Sequence, residues 1–145
     1  MNQEDTISRS DSSESDDKQQ PTRLFESIHA GFPSPAEDIP GTALDINRLV
    51  VKNPASTFFA RVSGDSMEGD GIRDGDILVV DKSEEPRDGA IAVCFINGEF
   101  TVKRLKISDG CITLLPSNPR YKAITVREGD DLTIWGIVRY VIKKV

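Results

Sequence analysis

From Ser56 to the C-terminus the chain is a series of short apolar runs, each closed by a turn signal. The runs are TFFARV, DILVVD, AIAVCFI, EFTVKRLKI, CITLL, AITV and LTIWGIVRYVIKK. They are rich in β-branched and aromatic residues, which fit a pleated, half-buried surface better than a helix. The punctuation is Ser63-Gly64-Asp65, Asp74-Gly75-Asp76, Asp88-Gly89, Asn97-Gly98, Asp109-Gly110 and Gly129-Asp130. Asn-Gly between two such runs predicts a tight hairpin, because both central residues must adopt positive φ. Strands of this length at this spacing predict a mostly β fold with a compact β-domain over residues 44–145. A chain of 145 residues has room for one ordinary domain and not for two large ones.

The N-terminal part follows different rules. Residues 1–20 hold six acids, two bases and five serines, so they carry −4 of the net −6. Such a segment buries too little apolar surface to offset chain entropy, and is predicted to be a disordered acidic leader. Residues 21–43 contain Pro21, Pro33, Pro35 and Pro40, which exclude a helix or a central strand. Leu24, Phe25, Ile28 and Phe32 are too apolar for a free linker, so an extended arm that docks on something is expected there. Residues 43–53 are predicted as a short helix stopped by Asn53-Pro54.

Charge and composition exclude several functions. With 18 basic and 24 acidic residues, the net field opposes binding to phosphate backbones. No helix-turn-helix pattern precedes the β region, so no direct sequence-specific DNA binding is expected. No apolar run approaches the ~20 residues of a spanning helix, and the first ten residues lack the features of a signal peptide. No membrane association is expected. Cys94 and Cys111 sit in apolar runs and are expected to be buried free thiols in a reducing cytoplasm.

Candidate chemistry is sparse. His29 is the only histidine and lies in the arm, far in sequence from any candidate nucleophile. Neither cysteine has a histidine nearby, and no phosphate-binding glycine loop occurs. The acids Asp65, Glu68, Asp70, Asp74 and Asp76 do not match the spacing of a calcium loop, so no metal and no cofactor are expected. Ser66 and Lys103 remain. Gly64 permits a tight bend that presents the Ser66 hydroxyl at the lip of a sheet. Alternation along EFTVKRLKI puts Thr101, Lys103, Leu105 and Ile107 on one face, and the two aliphatic residues favour burying it. An exposed lysine amine is neutral in fewer than about one molecule in a thousand at pH 7. Burial lowers its pKa, and a neutral amine can take a proton from a serine hydroxyl. Taken singly, a turn serine and a snorkelling surface lysine are the better accounts of the two residues.

Three motifs in order resemble the LexA/UmuD family of Ser-Lys self-cleaving proteins. They are S-G-D-S-M at 63–67, D-G-D-I-L-V-V-D at 74–81 and G-E-F-T-V-K-R-L at 98–105. The arm sequence Ala30-Gly31-Phe32-Pro33-Ser34-Pro35 is similar to the UmuD cleavage region. The resemblance implies a LexA/UmuD-like β-domain with Ser66 as nucleophile and Lys103 as general base. It implies a scissile bond at Ala30–Gly31 and an oxyanion site made by the backbone N–H groups of Ser66 and Met67. It also implies a cytoplasmic homodimer of the SOS response. Such proteins cut themselves when a RecA–single-stranded DNA filament stimulates them, then join a UmuC-like Y-family polymerase for translesion synthesis. A LexA-like regulator and a non-catalytic partner-binding β-domain are the alternatives.

Overall fold

The computed structural model describes residues 20–26, 28, 30–32 and 41–145. Apart from Gln20, the acidic leader lies outside the described residues, as do His29 and residues 33–40. The chain divides into two units, Met1–Asp45 and Ile46–Val145.

In the first unit, β1 (Thr22–Leu24) pairs antiparallel with β2 (Thr42–Leu44), matching Thr22 with Leu44 and Leu24 with Thr42. The described strands at the two ends of the arm region are therefore extended and pair with each other. Pro21 permits this because it precedes β1, where no ladder N–H is needed. The expected helix over 43–53 is shorter than its sequence pattern. It is α1 (Ile46–Val50), because Ala43 and Leu44 are taken by the β1–β2 ladder. At its other end the Asn53 carbonyl accepts hydrogen bonds from the Ser56 backbone N–H and the Thr57 hydroxyl, which turns the chain into the next strand.

The second unit is a seven-stranded antiparallel sheet. Its strands are β3 (Thr57–Arg61), β4 (Ile77–Asp81), β5 (Ile91–Ile96), β6 (Glu99–Ser108), β7 (Cys111–Leu115), β8 (Ile124–Thr125) and β9 (Leu132–Ile142). The order across the sheet is β3-β4-β9-β5-β6-β7-β8, so the last strand in sequence sits between β4 and β5. Asn97 and Gly98 both have positive φ, 48° and 87°, and make the tight β5–β6 hairpin. Asp109 and Gly110, at 49° and 74°, do the same between β6 and β7.

Two apolar clusters hold the sheet. One gathers Ala92, Cys94, Leu105, Leu114 and Ile137. The other gathers Met67, Ile72, Leu78, Val80 and Val93, with Phe58 and Val102 packed against it. β6 thus packs apolar residues on both sides, which is why Val102 breaks a clean alternation. Cys94 is buried, whereas Cys111 is exposed, contrary to expectation. Cys111 opens β7 directly after the turn, opposite Ser108 at the end of the hairpin.

β9 changes register against both neighbours, between Val79 and Val80 and between Val93 and Cys94. Gly136 lies at this irregularity, where a Cβ would stand 2.7 Å from Val80 Cγ1 and 3.0 Å from the Asp81 carbonyl oxygen. Overpacking of this kind costs about 1–3 kcal/mol. Gly136→Ala is expected to lower the urea midpoint accordingly with an unchanged m-value; an unchanged midpoint would show that β9 relaxes freely.

Candidate active site

Ser66 lies in the connection from β3 to β4. The base of this connection is closed by Val62 N–H to the Asp76 carbonyl and Gly75 N–H to the Val62 carbonyl, both 2.8 Å. Gly64, with φ +100°, donates its N–H to Asp74 Oδ1 at 2.8 Å. Met67 is 2% exposed and anchors the turn in the second cluster, leaving Ser66 half-buried beside it.

Lys103 comes from the middle of β6, across from Ala92 of β5. It is 6% exposed, so alternation placed it on the inward side correctly. Its Nζ lies 2.9 Å from Ser66 Oγ, 2.7 Å from Thr101 Oγ1 and 3.0 Å from the Val102 carbonyl oxygen. An ammonium would donate to all three. A neutral amine has two N–H donors and one lone pair. The Val102 carbonyl can only accept and Thr101 can accept, which leaves the lone pair for the Ser66 hydroxyl. Thr101 went unnoticed as a site residue, although its position two residues before Lys103 on one strand face is the signal that finds it.

Burial holds the Lys103 pKa below the ordinary lysine value of 10.5. The electrostatic contribution of Cys94 opposes this shift, but burial pushes the Cys94 thiol up to about 11, so it stays neutral at physiological pH. The amine therefore sits in a dry place without an anionic neighbour.

Ser66 and Met67 line a groove of about 450 Å³ together with Phe58, Phe100, Thr101 and Trp135. Trp135 meets Phe100 edge-to-face at 4.8 Å between centroids and Phe58 at 6.0 Å. Lys82 Nζ caps the Trp135 ring at 4.6 Å. Phe59 and Phe100 remain more than half exposed, at 55% and 57%. The groove is thus largely apolar, with the hydroxyl residues Ser63, Ser66 and Thr101 and the cation Arg61 in its lining. The backbone N–H groups of Ser66 and Met67 have no hydrogen-bond partner among the described residues.

Four of the five acids near Ser66, all but Glu68, have a hydrogen-bond or ion-pair partner among the described residues. Asp65 holds Arg120 and Tyr121, Asp70 holds Arg104, Asp74 holds Gly64, and Asp76 holds Lys143 and the Arg73 N–H. Ala30 and Gly31 lie in a bend of the first unit, both exposed. A Cβ on Gly31 would meet nothing within 4 Å, so local packing does not demand glycine there.

The lowered lysine pKa has a stability signature. Between the folded value and 10.5 the unfolded chain holds the Lys103 proton while the folded chain does not, so stability rises with pH across that window. Relative to Lys103→Met, the wild-type chain is expected to gain stability as pH climbs towards 10.5 and to level off above it. A difference in urea stability that stays flat with pH would contradict the burial of a titrating amine.

Residues 23–139 match the family described as Peptidase S24-like. The chain is 47% identical over 115 residues to Protein SamA of Salmonella typhimurium strain LT2, covering 79% of each chain. It is 40% identical over 116 residues to Protein ImpA of Escherichia coli, covering 79% of this chain and 78% of the relative. Protein MucA of Escherichia coli is 41% identical over 114 residues, covering 78% and 77%. The match spans both the Ser66 turn and the Lys103 strand, and the chain belongs to the Peptidase S24-like family.

Proposed function

We propose that the chain is a self-cleaving serine peptidase in which Lys103 activates Ser66 to cut the Ala30–Gly31 bond. The observation that carries this reading is the 2.9 Å approach of a buried lysine amine to a serine hydroxyl at the edge of an apolar groove. The neutral amine takes the Ser66 proton as Oγ attacks the Ala30 carbonyl carbon. The N–H groups of Ser66 and Met67 receive the oxyanion. The resulting ammonium returns its proton to the Gly31 nitrogen as the peptide bond breaks, leaving Ala30 esterified to Ser66. Water then hydrolyses that ester, with Lys103 again the base.

Charge and exposure support the arm as substrate. Ile28 and Phe32 flank the bond and are 79% and 96% exposed, matching the apolar lining of the groove in character. Cutting would release residues 1–30, with seven acids and three bases, and leave 115 residues with a net charge of −2. Family membership supports the larger setting. In it a RecA–single-stranded DNA filament favours the arm-engaged state of a cytoplasmic homodimer. The trimmed chain then serves a UmuC-like Y-family polymerase in SOS mutagenesis and translesion synthesis.

Purified protein held at rising pH is expected to cut itself without a partner, about tenfold faster per pH unit until Lys103 is neutral. Mass spectrometry should find fragments ending at Ala30 and starting at Gly31. Ser66→Ala and Lys103→Ala should each reduce the rate by about 10³-fold or more; continued cutting in both would remove the dyad. Gly31→Glu, which local packing tolerates, should block cutting with an unchanged melting temperature, and cutting at the wild-type rate would move the scissile bond elsewhere.

A further inference from the structure

The β7–β8 loop, residues 116–123, is bonded to the nucleophile turn at several points. Asn118 Nδ2 donates to the Asp65 carbonyl at 3.0 Å, and Ser117 N–H donates to the Ser66 carbonyl at 2.7 Å. In return Gly69 N–H donates to the Ser117 carbonyl at 2.7 Å. The Asp65 carboxylate receives Arg120 on one oxygen and the Tyr121 hydroxyl on the other, both at 2.5 Å. The contact is so close that a Cβ on Gly69 would stand 2.6 Å from the Ser117 carbonyl oxygen.

The chemistry of the peptide unit gives these bonds a meaning. No peptide bond among the described residues is cis, so each N–H points opposite to the C=O of its own unit. The Asp65 carbonyl shares a plane with the Ser66 N–H, and the Ser66 carbonyl shares one with the Met67 N–H. Both carbonyls face the loop, so both N–H groups face away from it. Ser66 and Met67 line the groove, and neither Ser117 nor Asn118 does.

We propose that the β7–β8 loop is a positioning element for catalysis: Asn118 and the Ser117 backbone fix the two peptide planes whose N–H groups receive the oxyanion. Asn118 is the principal side chain in this role, and the inference rests on the self-cleavage reading above. Arg120 contributes less, because its side chain is 73% exposed and such ion pairs are weak. The Tyr121 contact persists in alkali, since its hydrogen bond to Asp65 pushes the phenol pKa above the usual tyrosine value.

Asn118→Asp is the sharpest test. It keeps the Oδ1 that accepts the Arg120 N–H at 3.0 Å and turns the donor to Asp65 into a charged acceptor. The plateau rate of alkaline self-cleavage in the full chain is expected to fall about tenfold or more, since oxyanion donors act only when aimed. In a ¹H–¹⁵N spectrum the Ser66 and Met67 amides should shift while those of Thr101 to Leu105 do not. Gly69→Ala, which displaces Ser117 from the other side, should show the same pattern. A wild-type rate in both variants, a moved pH midpoint in the uncharged Gly69→Ala, or unmoved Ser66 and Met67 amides would each overturn the proposal. The spectral readout does not require cutting, so a wild-type chain that never cleaves would defeat the self-cleavage reading and still leave the loop's grip on these planes to be judged.

Discussion

A lysine amine held out of water without an acid beside it is the constraint around which this site is arranged. Removing an ammonium from water is costly, and the usual remedy is a carboxylate partner. Here the neighbours of Lys103 are two hydroxyls and a backbone carbonyl. These can stabilise either protonation state, but none anchors the charge. Asp65, Asp70, Asp74 and Asp76 of the same region are occupied elsewhere, on a cation or a backbone N–H. A carboxylate at Lys103 would raise its pKa and remove the base. Burial is what lowers the pKa of the amine here.

Much of the second unit could be read in the chain itself. The strands were visible because Gly, Asn and Asp punctuate β-branched runs at short range, and both information and structure are local there. The inward placement of Lys103 followed from its register with Leu105, a period-two relation within one strand. The strand order was not visible, because pairing β9 with β4 and β5 depends on contacts distant in sequence. β1 and β2 escaped notice for a related reason: three-residue strands give too little alternation to count.

The site was legible in the same uneven way. Ser66 and Lys103 stood out through residue chemistry and through motifs that resemble a known family. Asn118 did not, since its contact is with a carbonyl 53 residues away and backbone acceptors leave no mark on sequence. The aromatic wall was hidden too. Phe58, Phe100 and Trp135 come from three strands, and each alone looks like an ordinary strand residue.

The central place of the final strand bears on how the chain is made. The β3–β4 hairpin carries Ser66 and the β5–β6 hairpin carries Lys103, and within the sheet they are joined only through β9. A ribosome delivers both hairpins before the strand that unites them. Until β9 is made, Ser66 and Lys103 belong to hairpins that the sheet does not yet join. Such sequence-distant pairing closes late. The 2.9 Å contact between Ser66 Oγ and Lys103 Nζ thus spans two hairpins whose common neighbour in the sheet is a strand that follows both in the chain.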